Sequence, residues 1–243
     1  EIVTQLKLYG ADVEIVGASI FEAEQYLKNV LIPSYPTSTY LIKSHAFDNL
    51  EVWEGHASIV DEITTQLGPL DAAKVKYIAC SVGGGGLYNG IVKGMERNNF
   101  SRESSGVLLV ETTQAPTMTK SVNSRKIVHL ENVNSVATSL AVSYLSEKSL
   151  ELFYDPKGYK ARLEAIDDVD SLKALVTHYR RTGVVVEPAC GVALSVIYNR
   201  LDLLSKDHTL AKDDIVVVVV CGGKHTTLEA LCAFEAELKL SKL

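Results

Sequence analysis

The strongest constraint on the fold is residues 215–220, IVVVVV, six consecutive β-branched side chains with no polar one among them. Side chains along a strand alternate between its two faces, so such a run leaves neither face suited to water. It predicts a central parallel strand covered by helices on both sides. A second buried strand is expected at residues 74–82 (KVKYIACSV) and a third at 107–111, with shorter β-type runs at 11–17 and 184–186. Helical patterns fall between them: the opening residues up to Leu6, then 19–31, 57–67, 91–97, 135–149, 162–182, 189–204 and 227–240. Strands alternating with helices through right-handed crossovers predict an α/β fold, an open doubly wound and mostly parallel sheet with its ligands beyond the strand C-termini. Residues 32–50 carry Pro33, Pro36 and several Ser and Thr without regular periodicity. They close a small unit, residues 1–50, ahead of a large α/β domain at residues 51–243.

Composition narrows the function. At 243 residues the chain is long enough for a sizeable core, and 47% hydrophobic with 22% charged residues excludes a disordered chain. Twenty-four basic against thirty acidic residues give a net charge of -6, which repels phosphate backbones and argues against nucleic acid. No run of about eighteen apolar residues marks a membrane span. Cys80, Cys190, Cys221 and Cys232 form no C-x-x-C pair and follow no secretory signal, which fits reduced thiols and an intracellular setting. The chain opens on Glu1 in what reads as the last turns of a helix, so it is expected to begin inside a fold.

Chemistry concentrates where predicted strands end. Ser81-Val82-Gly83-Gly84-Gly85-Gly86-Leu87 joins a buried strand to a helix. Without Cβ atoms, successive N–H groups can turn toward one anion, and the helix N-terminus adds partial positive charge, so the loop reads as a phosphate cradle. It matches neither the dinucleotide fingerprint nor the P-loop pattern. Cys221-Gly222-Gly223 follows the IVVVVV strand and is expected to face the same crevice; Cys221 by itself reads as a small buried hydrophobe. Glu187 before Pro188 reads as a helix-start carboxylate, and Glu111 at the end of the 107–111 strand as a cap, or as a carboxylate able to hold a cation. The six histidines show no H-E-x-x-H spacing and no serine sits in G-x-S-x-G, so hydrolase readings lack support. Ser241-Lys242-Leu243 matches a peroxisomal address.

SVGGGGL, WEGHASIVDEI, VEPACGVAL and VVVVCGG, in this order and spacing, resemble the catabolic L-serine/L-threonine dehydratases, fold type II enzymes that use pyridoxal 5'-phosphate (PLP), and the fungal serine dehydratases above all. The resemblance covers essentially the whole chain. It implies that Gly83, Gly84, Gly85, Gly86 and Leu87 wrap the cofactor phosphate and that the Cys221 thiol bonds the pyridine nitrogen. It also implies a potassium-type cation held by Glu111 and the carbonyls of Gly83, Ala115, Leu140 and Val142. Where the family commonly has glycine, this chain has Ala141.

Such enzymes hold PLP as a Schiff base on a lysine in a Ser-Phe-Lys-type motif, and no Phe-Lys pair occurs here. The S-x-G-N loop is also absent, so roughly the first third of a family member is expected to be missing. For the intact family the resemblance implies deamination of L-serine to pyruvate, or of L-threonine to 2-oxobutanoate, with release of ammonia. This chain is then expected to be a truncated member, inactive alone. The alternatives are the C-terminal piece of a split enzyme, and a non-catalytic module that binds PLP or another phosphorylated metabolite, forms a homodimer, or recruits an intact dehydratase subunit through an exposed sheet edge. The compartment is expected to be cytoplasmic or mitochondrial, with the peroxisomal tripeptide as a further address.

Overall fold

A computed structural model describes residues 2–131, 133–206, 209–223 and 226–240. The chain divides into two compact units, Glu1–Ser44 and His45–Leu243. The first holds α1 (Ile2–Leu8), α2 (Ile20–Tyr26) and, beyond a π-helical turn at Leu27–Leu31, the short α3 (Ile32–Ser34). Ser19 caps α2 by accepting the Glu22 N–H at 3.2 Å. None of its described residues is fully buried, and Leu8, Tyr9 and Ile15 are largely exposed.

The second unit runs α4 (Leu50–Ala72), β1 (Val75–Ser81), α5 (Gly86–Arg97), β2 (Gly106–Thr112), α6 (Thr117–Ser124), α7 (Glu147–Tyr154), β3 (Lys160–Ile166), α8 (Asp168–Thr182), α9 (Pro188–Tyr198), α10 (Asp202–Ser205), β4 (Ile215–Val218) and α11 (Leu228–Leu240). The four strands pair in parallel in the order β3-β2-β1-β4. Every residue of β2 is buried, as expected of a strand between two neighbours and two helical layers. Side chains segregate with period two. Ile78, Cys80, Val107 and Leu109 join Val60, Ile91 and Met95 on the α4–α5 side, while Tyr77, Ala79, Leu108 and Val110 join Val192, Val196 and Leu203 on the α9 side. Beyond α9, Leu175 and Leu231 bring α8 and α11 onto Cys190 and Leu194 as an outer layer.

Local chemistry sets the element ends. Asn49 Oδ1 caps α4 by accepting the N–H groups of Glu51 (2.8 Å) and Val52 (3.3 Å), and Gly68 (φ 72°) with Pro69 breaks the helix near its end. Asp167 caps α8 through the Val169 N–H at 2.8 Å, and Gly183 (φ 73°) ends it in the left-handed conformation. α4 and α5 approach backbone to backbone: a Cβ on Gly94 would lie 2.6 Å from the Ala57 carbonyl, and one on Gly90 2.8 Å from that of Trp53. The WEGHASIV stretch is therefore shaped to receive two glycines.

Four expectations are corrected. Residues 215–220 are not a central strand: β4 spans only Ile215–Val218, pairs with β1 alone and is half-buried at the sheet edge. Residues 160–166, read partly as helix, form β3, because pairing along the whole of β2 outweighs the helix preference of its Lys, Arg, Leu, Glu and Ala. Residues 135–146 are irregular apart from a 3-10 turn at Thr138–Leu140, and the helix begins only at Glu147. Residues 11–17 and 184–186 form no strand; the second segment instead runs beside the loop after β4, where the Glu187 N–H donates to the Gly222 carbonyl at 3.0 Å. The tripeptide Ser241-Lys242-Leu243 lies outside the described residues, and among those described no helix is long and apolar enough to cross a membrane.

Leu109 is fully buried in the middle strand. Leu109→Ala is expected to lower stability by about 2–5 kcal/mol in urea unfolding of the purified chain.

Candidate functional site

β1 ends at Ser81, and the Val82 N–H extends its pairing with β2 by donating to the Val110 carbonyl at 2.9 Å. The chain then turns through Gly83–Gly86 into α5 with Gly85 at φ 91°, a left-handed N-cap that offers no side-chain bond. The loop's carbonyls are answered by protein: Gly84 O accepts from the Ser146 N–H and Gly85 O from the Asn89 N–H, both at 2.9 Å, and Gly86 O faces His56 Nδ1 at 3.3 Å. Its N–H groups are not. Among the described residues no acceptor meets the N–H of Gly83, Gly84, Gly85, Gly86 or Leu87, although all four glycines are buried. Buried amide donors are rarely left unpaired, and here they gather at the positive end of a twelve-residue helix. That arrangement fits a phosphate.

The glycines are required by contact as well as by φ. A Cβ on Gly84 would sit 2.3 Å from the Phe47 ring, one on Gly86 2.7 Å from the Phe47 carbonyl, and one on Gly85 1.9 Å from Ser149 Oγ. Phe47 is held by the Trp53 indole N–H, which donates to its carbonyl at 2.6 Å, and by edge contacts with His45 and Tyr144 at 4.7 and 5.3 Å. Beneath the loop a polar network fixes the backbone. Ser146 Oγ donates to Asp48 Oδ1 at 2.6 Å, Asn89 Nδ2 to Ser146 Oγ at 3.3 Å, and Ser149 Oγ to Asn89 Oδ1 at 2.7 Å. Sequence reasoning missed Phe47, Asp48, Asn89, Ser146 and Ser149. For Phe47 and Asp48 the signal was the irregular length of residues 32–50, since long unstructured connections are often functional; Asn89, Ser146 and Ser149 had none.

The loop after β4 lies at the same sheet edge. The Val219 N–H continues the ladder to the Ala79 carbonyl at 2.9 Å, and Cys221 Sγ then comes within 3.8 Å of Ser81 Oγ. Cys221 also donates its N–H to Cys190 Sγ at 3.1 Å. The Cys190 sulfur accepts from the Cys221 thiol and from the backbone N–H groups of Gly222 and Cys221 in the loop after β4, which pulls its pKa down to about 7. Cys221 is pushed well above the usual thiol range by donating to Cys190 and by burial of its sulfur. It is a proton-bearing thiol. The two glycine loops, expected to face one crevice, approach each other at Ser81 and Cys221. Glu187 sits at the N-cap of α9, where it makes no side-chain cap bond and instead accepts from Ser139 Oγ at 3.1 Å.

Glu111 is buried, and its two oxygens accept the N–H groups of Met118 (2.9 Å) and Thr119 (2.8 Å) at the start of α6, so it does cap a helix. Burial pushes its pKa up to about 7. The other residues suggested for a cation contact one another through Thr117 and Leu140. Thr117 donates its N–H to Ala115 O at 3.0 Å and its hydroxyl to Val142 O at 2.7 Å, the Val142 N–H bonds Leu140 O at 2.8 Å, and a Cβ on Gly83 would lie 2.9 Å from Leu140 Cα. Among the described residues no cluster of three or more His, Cys, Asp or Glu is placed to hold a metal ion.

Two outcomes follow. Between pH 4.5 and about 7 the folded chain keeps the Glu111 proton that the unfolded chain has released, so stability should fall across this window as pH rises, by on the order of 3 kcal/mol. Glu111→Gln is expected to flatten that slope in denaturant titrations at a series of pH values. Gly84→Val should abolish binding of inorganic phosphate by displacing Phe47, read by calorimetry on protein that circular dichroism shows to be folded.

Comparison with known proteins identifies the family. A family model described as pyridoxal-phosphate dependent enzyme matches residues 1–222. The chain is 36% identical over 248 residues to an L-serine dehydratase of Saccharomyces cerevisiae, covering 99% of this chain and 71% of that one. It is 39% identical over 202 residues to a putative truncated L-serine dehydratase, SDL1, of the same yeast, covering 81% of this chain and 93% of the other. Among solved structures, a fungal L-serine ammonia-lyase from Rhizomucor miehei superposes with a TM-score of 0.80 at 28% identity, over 98% of this chain and 70% of that one. The buried donors of the glycine loop and the shared sheet edge thus belong to a member of the fold type II pyridoxal-phosphate dependent enzymes, in the L-serine/L-threonine dehydratase branch.

Proposed function

We propose that these residues form the phosphate- and ring-binding part of a PLP-dependent L-serine/L-threonine dehydratase site, and that the 243 residues bind the cofactor without turnover on their own. The observation that carries this reading is the set of buried, unanswered N–H groups on Gly83–Gly86 and Leu87. They would hold the phosphate. When bound, PLP supplies an electron sink for loss of the α-proton and the β-hydroxyl of the amino acid.

The protein's own contributions are separable. The network through Asp48, Ser146, Asn89 and Ser149 keeps the loop carbonyls turned away, so the amides need no rearrangement to receive an anion. Cys221 keeps its proton and can donate it to a neutral pyridine nitrogen, an arrangement that leaves the ring uncharged. Ser81 and Cys190 orient that thiol. Glu111 and the carbonyls of Gly83, Ala115, Leu140 and Val142 offer only hard oxygens, those of Ala115 and Val142 being tied by Thr117, and suit a potassium-type cation. A general base must lie within hydrogen-bond reach of the proton it takes, and the Phe-Lys pair that would supply it is not in this sequence. A second reading has a separate polypeptide pairing with the half-buried edge of β4 and supplying that lysine.

PLP titration followed by absorbance should show saturable uptake, while L-serine yields no pyruvate. Cys221→Ala should weaken PLP several-fold and leave inorganic phosphate binding unchanged. Pyruvate release by the purified chain would overturn the inactive reading, and absence of PLP uptake by folded protein would overturn the cradle. Turnover that appears only on co-expression with a lysine-bearing partner would favour the second reading.

A further inference from the structure

We propose that Cys190 and Cys221 close into a reversible disulfide on exposure to a hydroperoxide, and that the bond withdraws Cys221 from ring recognition. The second clause rests on the function proposed above; the first does not.

The pair is built by the fold. Cys190 is fully buried in the first turn of α9, Cys221 lies on an exposed loop after β4, and the two are 31 residues apart in the chain. The Cys221 N–H nevertheless donates to Cys190 Sγ at 3.1 Å. Closing a disulfide needs two cysteines whose Cβ atoms can come within about 4 Å. Any shift this requires falls on a loop that continues into Gly222, around which a Cβ would meet nothing. Cys80 is the internal contrast: it is buried in β1, and burial pushes it up to about 12. Reactivity follows thiolate character, which resides in the Cys190–Cys221 pair.

The chemistry balances with one oxidant. The Cys221 thiol attacks the hydroperoxide as its proton passes to the Cys190 sulfur to which it is hydrogen-bonded: an S–O bond forms, the O–O bond breaks, and the alcohol leaves after taking a proton from solvent. Cys190 Sγ then attacks Cys221 Sγ, forming S–S and breaking S–O, and hydroxide departs with the Cys190 proton as water. Two thiols lose two protons and two electrons, and the hydroperoxide is reduced to alcohol and water. Cys221, now bonded to Cys190, has no hydrogen left to donate.

The test is non-reducing peptide mapping of the full chain after hydrogen peroxide. The expected product joins the peptides of Cys190 and Cys221 with the loss of two hydrogens, leaves Cys80 free, and reverts with dithiothreitol. Cys232→Ser should leave the link unchanged, whereas Cys190→Ser should send Cys221 on to irreversible acids. The oxidised chain should bind PLP several-fold more weakly and inorganic phosphate unchanged. Finding Cys221 as a sulfonic acid beside a free Cys190, a Cys221–Cys232 link, or both thiols intact would overturn the disulfide. A Cys190–Cys221 link in a chain that takes up no PLP in either state would uphold the disulfide and remove the ring-recognition clause.

Discussion

The contact between the glycine loop and Phe47 governs the site. With Phe47 seated against Gly84 and Gly86, and Ser149 against Gly85, no side chain fits on the loop, and its backbone lies in one orientation, carbonyls toward protein and amides away. Everything that could bind an anion here follows from that polarity. The helix start at α5 strengthens it, and the Asp48–Ser146–Asn89–Ser149 network locks it.

The same packing explains why the site sits where it does. β1 is flanked by β2 and β4, so its C-terminal end receives loops from both sides of the sheet: Gly83–Gly86 from its own end, and Cys221 from the end of β4. α9 delivers Cys190 from the opposite layer. The ligand region of a doubly wound sheet lies beyond the strand C-termini for this reason. The chain belongs to the pyridoxal-phosphate dependent enzymes, and the proposed cofactor site lies in this region of the sheet.

What could be read from the sequence was the part governed by local chemistry. SVGGGGL announces a cradle because four glycines at a strand-to-helix junction have few other uses, and KVKYIACSV announces a buried strand because its apolar residues leave no polar face. The misreadings share a physical cause, in that neighbours decided the outcome. Residues 160–166 carry helix-forming side chains but pair along all of β2, with Arg162 lying over the Tyr77 ring at 5.6 Å. Residues 215–220 have the composition of a central strand and occupy an edge. The support beneath the loop was illegible for a similar reason. Asp48 and Ser146 are 98 residues apart, and no spacing rule connects them.

The central claim is that the amides of Gly83–Leu87 await an anion. The most direct measurement is an NMR titration of the labelled chain with inorganic phosphate, following those five amide resonances beside the rest of the backbone. The account predicts saturable downfield shifts concentrated at Gly83, Gly84, Gly85, Gly86 and Leu87, with Cys221 little changed. Shifts spread over surface lysines with those five amides unmoved would contradict it.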